Sequence, residues 1–255
     1  MLLLAVGGCA TAGEDDIIPT APDIRRAAQP ASNPRRELLG HSVLGRAIEI
    51  EHFGDGKSPV LILGGIHGDE VTSVDLTRNL IVLLRARPEL TAGHAVSIIE
   101  IANPDGYAKR TRTNSRGIDV NRNFPASNFR AGGGTGFRGG SAPASEPETR
   151  AVLSAIAQLR PRLIISIHSI RGGRQCNNYD GPAEPFARAM SRHNGYPVTA
   201  SIGYPTPGSL GSYAGIDLKI PIVTLELPRD LPGERAWQQN WQALLAGISA
   251  TSAGR

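Results

Sequence analysis

The sequence predicts an α/β fold: one domain on a twisted, mostly parallel or mixed sheet flanked by helices. Short β-branched runs recur along the chain, and amphipathic segments of helical period separate them. The runs are continuous rather than alternating, which is the mark of strands buried on both faces. A chain of 255 residues suits one large domain and buries roughly 70–75% of its unfolded surface.

Composition removes several function classes. With 40% hydrophobic and 20% charged residues and no run of 18 apolar residues, the chain is neither disordered nor a bundle of membrane-spanning helices. The net charge of +4 is spread along the sequence without a basic block, so no nucleic-acid partner is expected. Its basic residues are almost all Arg, with Lys only at positions 57, 109 and 219. Guanidinium forks suit carboxylates, although a GC-rich genome produces the same bias.

Taken in order, the apolar stretch from Leu2 to Gly8 ends at Cys9 and is followed by polar residues through Asp16. That pattern resembles a bacterial lipoprotein signal, so Cys9 is the expected lipidation site and the cell envelope or periplasm the expected location. The competing reading is a disordered start with a chance cysteine, which would leave the protein cytoplasmic. Residues 10–37, rich in Ala, Pro, Asp and Arg, read as a flexible tether, and residues 38–250 as the folded domain. Cys176 is then unpaired and reads as an ordinary semi-buried thiol.

Val60–Leu63 reads as the first strand, Val71–Leu84 as a helix and Val96–Ile101 as a second strand. Periodicity vanishes between residues 103 and 145, where Gly, Asn, Arg and Ser dominate, so this stretch is a functional loop or a surface insertion. Ser145-Glu146-Pro147-Glu148 has capping-box spacing before a helix through Val152, Ile156 and Leu159. Strands at Leu163–Ile167 and Ile222–Leu225 follow. Trp237, Trp241, Leu244 and Leu245 mark a C-terminal helix from about Gly233 to Ile248.

The chemistry gathers at strand ends. After the first strand comes Gly64-Gly65-Ile66-His67-Gly68-Asp69-Glu70, an imidazole and a carboxylate three residues apart. A catalytic zinc takes three protein ligands of these types and keeps one position for solvent. His168 closes another apolar strand, and in α/β sheets the carboxyl ends of strands converge on the ligand crevice. Glu226 lies inside an apolar strand, where a carboxylate is costly unless it works beside a cation.

Between these points run Asn103-Pro104-Asp105-Gly106, Arg112-Thr113-Asn114 and Asp119-Val120-Asn121-Arg122-Asn123, with Ser166-Ile167-His168-Ser169 and Leu225-Glu226-Leu227 beyond. The ordered set resembles the carboxypeptidase A-like zinc carboxypeptidase family. That resemblance implies one Zn2+ on His67, Glu70 and His168, with Glu226 as general base. It also implies Arg112 as oxyanion stabiliser, Asn121 and Arg122 as holders of the substrate's free terminal carboxylate, and Asp119 as the group orienting His67. Tyr204 is expected to cover the substrate, with Tyr213 as the alternative. Arg110 and Arg116 are read as solvated surface charge, and His41, His52, His94 and His193 as structural or exposed.

The features Asn121-Arg122-Asn123-Phe124-Pro125-Ala126, Ser145 to Thr149, and Gly203 to Ser212 further resemble a bacterial branch that trims peptidoglycan peptides. This implies a monomeric zinc hydrolase that cuts the amide between γ-D-glutamyl and meso-diaminopimelate. Two other functions stay open at this point. One is a general metallocarboxypeptidase or N-acyl amino acid deacylase, and the other a non-catalytic peptidoglycan-binding lipoprotein.

Overall fold

Alternation along a few buried strands decides which face of this molecule each side chain meets. A computed structural model describes residues 34–134, 137–200, 202–204 and 206–251. Cys9 and most of the expected tether lie outside the described residues. The strands are β1 (Arg35–His41), β2 (Ala47–Phe53), β3 (Pro59–Leu63), β4 (Ala95–Ile99), β5 (Gly133–Gly134), β6 (Phe137–Arg138), β7 (Leu163–Ile170), β8 (Cys176–Asp180), β9 (Val198–Thr199) and β10 (Ile222–Pro228). The helices are α1 (Val71–Ala86), α2 (Pro104–Lys109), α3 (Pro147–Leu159), α4 (Glu184–Asn194) and α5 (Gly233–Ala250).

Eight strands form one mixed sheet in the order β1-β2-β4-β3-β7-β10-β8-β9. The central strands β4, β3, β7 and β10 run parallel, while β1, β2 and β4 pair antiparallel, as do β10 and β8. On one face Val60, Ile62, Leu163, Ile165, Val223 and Leu225 pack with α1, α4 and α5 around Leu80, Met190, Trp237 and Leu244. On the other, Leu61, Leu63, Ile164 and Ile222 pack with α3 through Val152 and Ile156, and with Val120 and Phe124. Removing this apolar surface from water, at roughly 25 cal/mol per Å2, drives the layering.

From β3 the chain crosses through α1 to β4 on one side, and later returns to β7 on the other side of β3. The crevice beyond the carboxyl ends of β3 and β7 is therefore the switch point at which open α/β sheets bind ligands.

Three expectations need correction. First, β1 begins at Arg35, inside the stretch read as tether, because its backbone pairs with β2 from Arg35↔His52 onward. Second, residues 103–145 are not without regular structure. They hold α2, a single 3-10 turn at Val120–Arg122 and the β5–β6 ladder, and the rest is fixed by side-chain amides. Third, Ser145 does not cap α3. Glu146 is the cap residue, without a side-chain cap bond, while Ser145 Oγ meets the amide of Asn123 at 3.0 Å. Glu148, rather than closing a capping box, accepts from the Val43 amide and from Asn114 Nδ2. Pro147 does occupy the first turn of α3, where its missing N–H costs nothing.

The loop's anchoring brings two glycine segments into backbone contact. A Cβ on Gly68 would overlap the Gly106 carbonyl and the Tyr107 amide. Gly106 is held in turn by its amide, which donates to Asn103 Oδ1 at 2.9 Å. Gly68→Ala is expected to destabilise the fold by about 1–3 kcal/mol through this overpacking. Urea denaturation checks it, and a wild-type midpoint would contradict the contact.

Candidate metal centre and pocket

Each metal-ligand candidate comes from a different local rule. His67 sits in the turn after β3, Glu70 is the residue immediately before α1, and His168 is on β7 in the Ile164-Ser166-His168 row of side chains. The structure brings all three together, each about 3% exposed. His67 Nδ1 lies 2.9 Å from Glu70 Oε1, His168 Nδ1 lies 3.0 Å from Glu70 Oε2, and the two Nδ1 atoms are 3.1 Å apart.

The opposite ring nitrogens have their own partners. His67 Nε2 donates to Asp119 Oδ1 at 3.1 Å, and His168 Nε2 is 3.0 Å from Ser166 Oγ. A ring whose Nε2 carries its hydrogen presents a lone pair at Nδ1, so both imidazoles aim acceptors at one point beside a carboxylate. Three buried acceptors converging on one point repel unless a cation or protons lie between them, and two imidazoles with one carboxylate are a zinc donor set. The donor chemistry therefore fits the ion, and among the described residues these three form the cluster able to hold a metal.

The supporting charges are arranged around the same point. Asp119, fully buried, accepts from His67 Nε2, from Arg112 Nε at 2.9 Å and from the Asn121 amide at 2.9 Å. Arg112 also reaches Glu70 Oε1 at 3.4 Å. Burial acts to raise the Glu70 carboxyl, but the two imidazoles outweigh it and hold it well below the usual range. Burial likewise opposes ionisation of His67, yet Glu70 and Asp119 keep its pKa raised. At His168 burial prevails and the pKa is lowered.

Glu226 is placed by register. On β10 it pairs with His168 of β7, and it shares the face of Thr224 and Ile222. Neighbouring strands lie about 4.8 Å apart, so a carboxyl at this position stands beside the metal ligands. Burial, then the charge of Glu70, pushes the Glu226 carboxyl up to about 8. On its other side Glu226 pairs with Cys176 of β8. That thiol is buried and free, and burial followed by Glu226 pushes it up to about 11, so it stays protonated as an ordinary core residue.

A cavity of about 210 Å3 opens over this face. Around it lie His67, Glu70, His168, Arg112, Asn121, Arg122, Tyr204 and Glu226, so every expected site residue except Asp119 and Cys9 borders it, and Asp119 stands just behind His67 and Arg112. Asn121 Oδ1 accepts from the Leu210 amide at 2.9 Å, and Arg122 Nη1 donates to the Asn121 carbonyl at 2.7 Å. The first of these bonds holds this wall to the Ser209–Gly211 segment. Of the two tyrosines, Tyr204 borders the cavity and is 43% exposed, whereas Tyr213 stacks on Phe124 at 6.3 Å in the core.

Arg110 and Arg116 are exposed, as the surface-charge reading expects. Arg116 lies 3.4 Å from buried Glu146, and Arg110 lies over the Tyr107 ring at 4.6 Å. Two site residues also escaped the sequence reading. Ser166 sits two residues before His168, and strand parity alone could have found it. Arg229, which bonds Asp69 and lies 3.2 Å from Glu70, follows β10 with no local signal.

The zinc carboxypeptidase family model matches residues 26–182. Murein peptide amidase A of Escherichia coli (strain K12) is 35% identical over 223 residues, covering 82% of this chain and 86% of the relative. The crystal structure of murein-tripeptide amidase from Escherichia coli O157 superposes with a TM-score of 0.72 at 29% identity, covering 89% of this chain and 97% of that one. Carboxypeptidase A from Helicoverpa armigera, at 20% identity and a TM-score of 0.69, covers 87% of this chain and 69% of its own and shares the fold.

Proposed function

The chain belongs to the zinc carboxypeptidase family and is a hydrolase, and from that premise we propose that it removes the C-terminal residue of peptidoglycan peptides by cutting the γ-D-glutamyl–meso-diaminopimelate amide. The observation that carries this is the convergence of His67 Nδ1, His168 Nδ1 and Glu70 beside Glu226, on a cavity edged by Arg112 and Arg122.

In this reading His67, Glu70 and His168 hold one zinc ion, which when bound supplies Lewis acidity to the scissile carbonyl and to solvent. Glu226 takes the proton of the attacking water and returns it to the leaving amine nitrogen. Arg112, oriented by Asp119, donates to the oxygen on which negative charge develops. Asn121 and Arg122 hold the free carboxylate of the terminal residue, and Tyr204 covers the bound end. A chain continuing past the cut would leave the Arg122 guanidinium unmatched, which makes the activity an exopeptidase one.

The reading extends to location: Cys9 is lipidated and the enzyme works in the cell envelope as a monomer. Metabolic labelling with a clickable fatty acid, lost in Cys9→Ser, checks the anchor.

The direct test offers purified protein L-Ala-γ-D-Glu-meso-diaminopimelate and an acyl-peptide with a C-terminal hydrophobic residue. Release of diaminopimelate from the first alone supports the proposal. Cleavage of the second alone replaces it with a general carboxypeptidase or deacylase, and no cleavage of either by zinc-loaded protein removes the catalytic reading. Arg122→Met is expected to lower kcat/KM for the muropeptide by about 10²–10³-fold, as loss of one partner in a buried charge pair does. Its effect is expected to shrink to a few-fold on the C-terminally amidated substrate. Equal losses on the two substrates would remove Arg122 from carboxylate binding.

A further inference from the structure

Two guanidinium groups reach the same oxygen of Glu70, and they differ in what else they touch. Arg112 Nη1 lies 3.4 Å from Oε1, and Arg229 Nη1 lies 3.2 Å from it. Arg112 borders the cavity together with Glu70 and Ser169, whereas neither Arg229 nor Asp69 is among the described residues that line it. Arg229 instead ties together three segments of chain. Its amide donates to the Ile170 carbonyl at 2.9 Å, its Nη1 donates to Ser169 Oγ at 3.3 Å, and its Nη2 pairs with Asp69 Oδ2. The other Asp69 oxygen is buried without a hydrogen bond, so this ion pair is what balances the Asp69 charge.

The consequence falls on the Glu70 carboxylate. The backbone amide of Ser169 donates to Oε2 at 3.0 Å, while Arg229 stands at Oε1. A glutamate side chain turns about three bonds, and a fixed donor at each oxygen sets the plane of its carboxylate before any ion arrives. Without them an incoming ion would have to supply the entropy of ordering that chain. Arg112 is not free to do this throughout the proposed reaction, where it donates to the developing oxyanion. Arg229 is anchored at Asp69 and Ser169, and its planar fork suits several contacts at once. A lone cation beside a metal ligand would repel the metal, but the Asp69–Arg229 pair carries no net charge.

We infer that Arg229, itself held by Asp69, is the positioning residue for Glu70 and fixes that carboxylate in the orientation that receives the ion. It acts through Glu70 and touches no reacting atom. The inference rests on the reading of His67, Glu70 and His168 as zinc ligands, and it adds a requirement on two residues outside the donor set. Carboxylates that bind metals depend on such partners, whose loss typically weakens metal binding by about 10–100-fold.

Zinc affinity, measured by competition with a chromophoric chelator, tests this without turnover. Asp69→Asn combined with Arg229→Met removes one charge of each sign, and so removes the clamp at constant net charge. The double variant is expected to bind zinc about 10–100-fold more weakly than wild type. Arg229→Lys keeps the charge but loses the fork, and its affinity is expected to fall between the two. Cobalt-loaded protein gives a second reading, because the visible absorption of Co2+ follows its coordination, and the bands of the double variant are expected to move. A merely structural ion pair would lower the urea midpoint of the metal-free variants and leave both readings as in wild type. An affinity within about twofold of wild type overturns the assignment, as does an unaltered cobalt spectrum. Should the double variant fail to fold, the same criteria applied to Arg229→Lys decide. Failure of the wild-type protein to bind zinc would instead overturn the metal centre itself, which unchanged binding in the variants would leave standing.

Discussion

Glu226→Gln is expected to lower kcat on the susceptible peptide by about 10³–10⁴-fold, at the upper end for loss of a general acid–base group, with KM little changed. The amide keeps the shape and hydrogen-bonding length of the carboxyl but cannot carry the proton from water to the leaving nitrogen. Because Glu226 makes no hydrogen bond to His67, Glu70 or His168, zinc content is expected to stay at one ion per chain. Loss of zinc from the variant would mean that Glu226 holds the site together rather than working in it. Retained activity would remove it from the mechanism.

The same substitution has a pH signature in the metal-free protein. Burial and Glu70 raise the Glu226 carboxyl to about 8, well above an unfolded glutamate. The folded state then holds a proton that the unfolded state has released, so stability falls as pH rises from the unfolded value through about 8. Its contribution is complete at acid pH and lost by pH 9, on the order of a few kcal/mol. Glutamine has no proton to lose. In urea denaturation with chelator present, the stability of Glu226→Gln relative to wild type is expected to increase steadily between pH 5 and 9. A difference independent of pH would show that the carboxyl ionises normally.

How much of this was readable beforehand depended on whether an element carries core. The runs at Val60, Val96, Leu163 and Ile222 face apolar layers on both sides and are unmistakable as strands. Strand β8, Cys-Asn-Asn-Tyr-Asp, has no such run because one of its faces lines the cavity, so its polarity hid it. Helix α4 buries Ala187, Ala189 and Met190, with Phe186 packed against the core, and its other residues are mostly polar, so its low apolar content hid it. Strand β2 alternates Ile48 and Ile50 with glutamates, a period-2 pattern that the sequence reading, which began its strands at Val60, passed over. Glu51, however, is buried between Arg36 and Arg85, an ion pairing that only the tertiary structure supplies. The metal ligands were legible as motif residues, but the cavity positions of Asn178 and Asp180 were not, since only the pairing of β8 with β10 brings them to the Glu226 face.

Removal of the metal is expected to cost thermal stability in a pH-dependent way. An ion present at about 1,000 times its Kd stabilises the folded state by about 4 kcal/mol, which for a domain of this size is a melting shift of about 10 °C. Protons partly replace the cation. In the metal-free cluster His67 is bracketed by Glu70 at Nδ1 and Asp119 at Nε2, and the two carboxylates overcome burial to keep its pKa raised. A raised histidine stabilises the fold fully below its unfolded pKa and loses that contribution as pH rises through the folded value. Chelation should therefore lower the melting temperature less at pH 6 than at pH 8, and zinc titrated back should release protons, because the ligands bind it deprotonated. Scanning calorimetry at the two pH values and titration in buffers of different ionisation enthalpy measure these effects. His168→Ala, which leaves only His67 and Glu70 for the ion, should abolish the difference between zinc-loaded and chelated samples. Equal shifts at both pH values would show that no imidazolium stands in for the ion, and an unchanged melting temperature on chelation would show that these three side chains do not bind it.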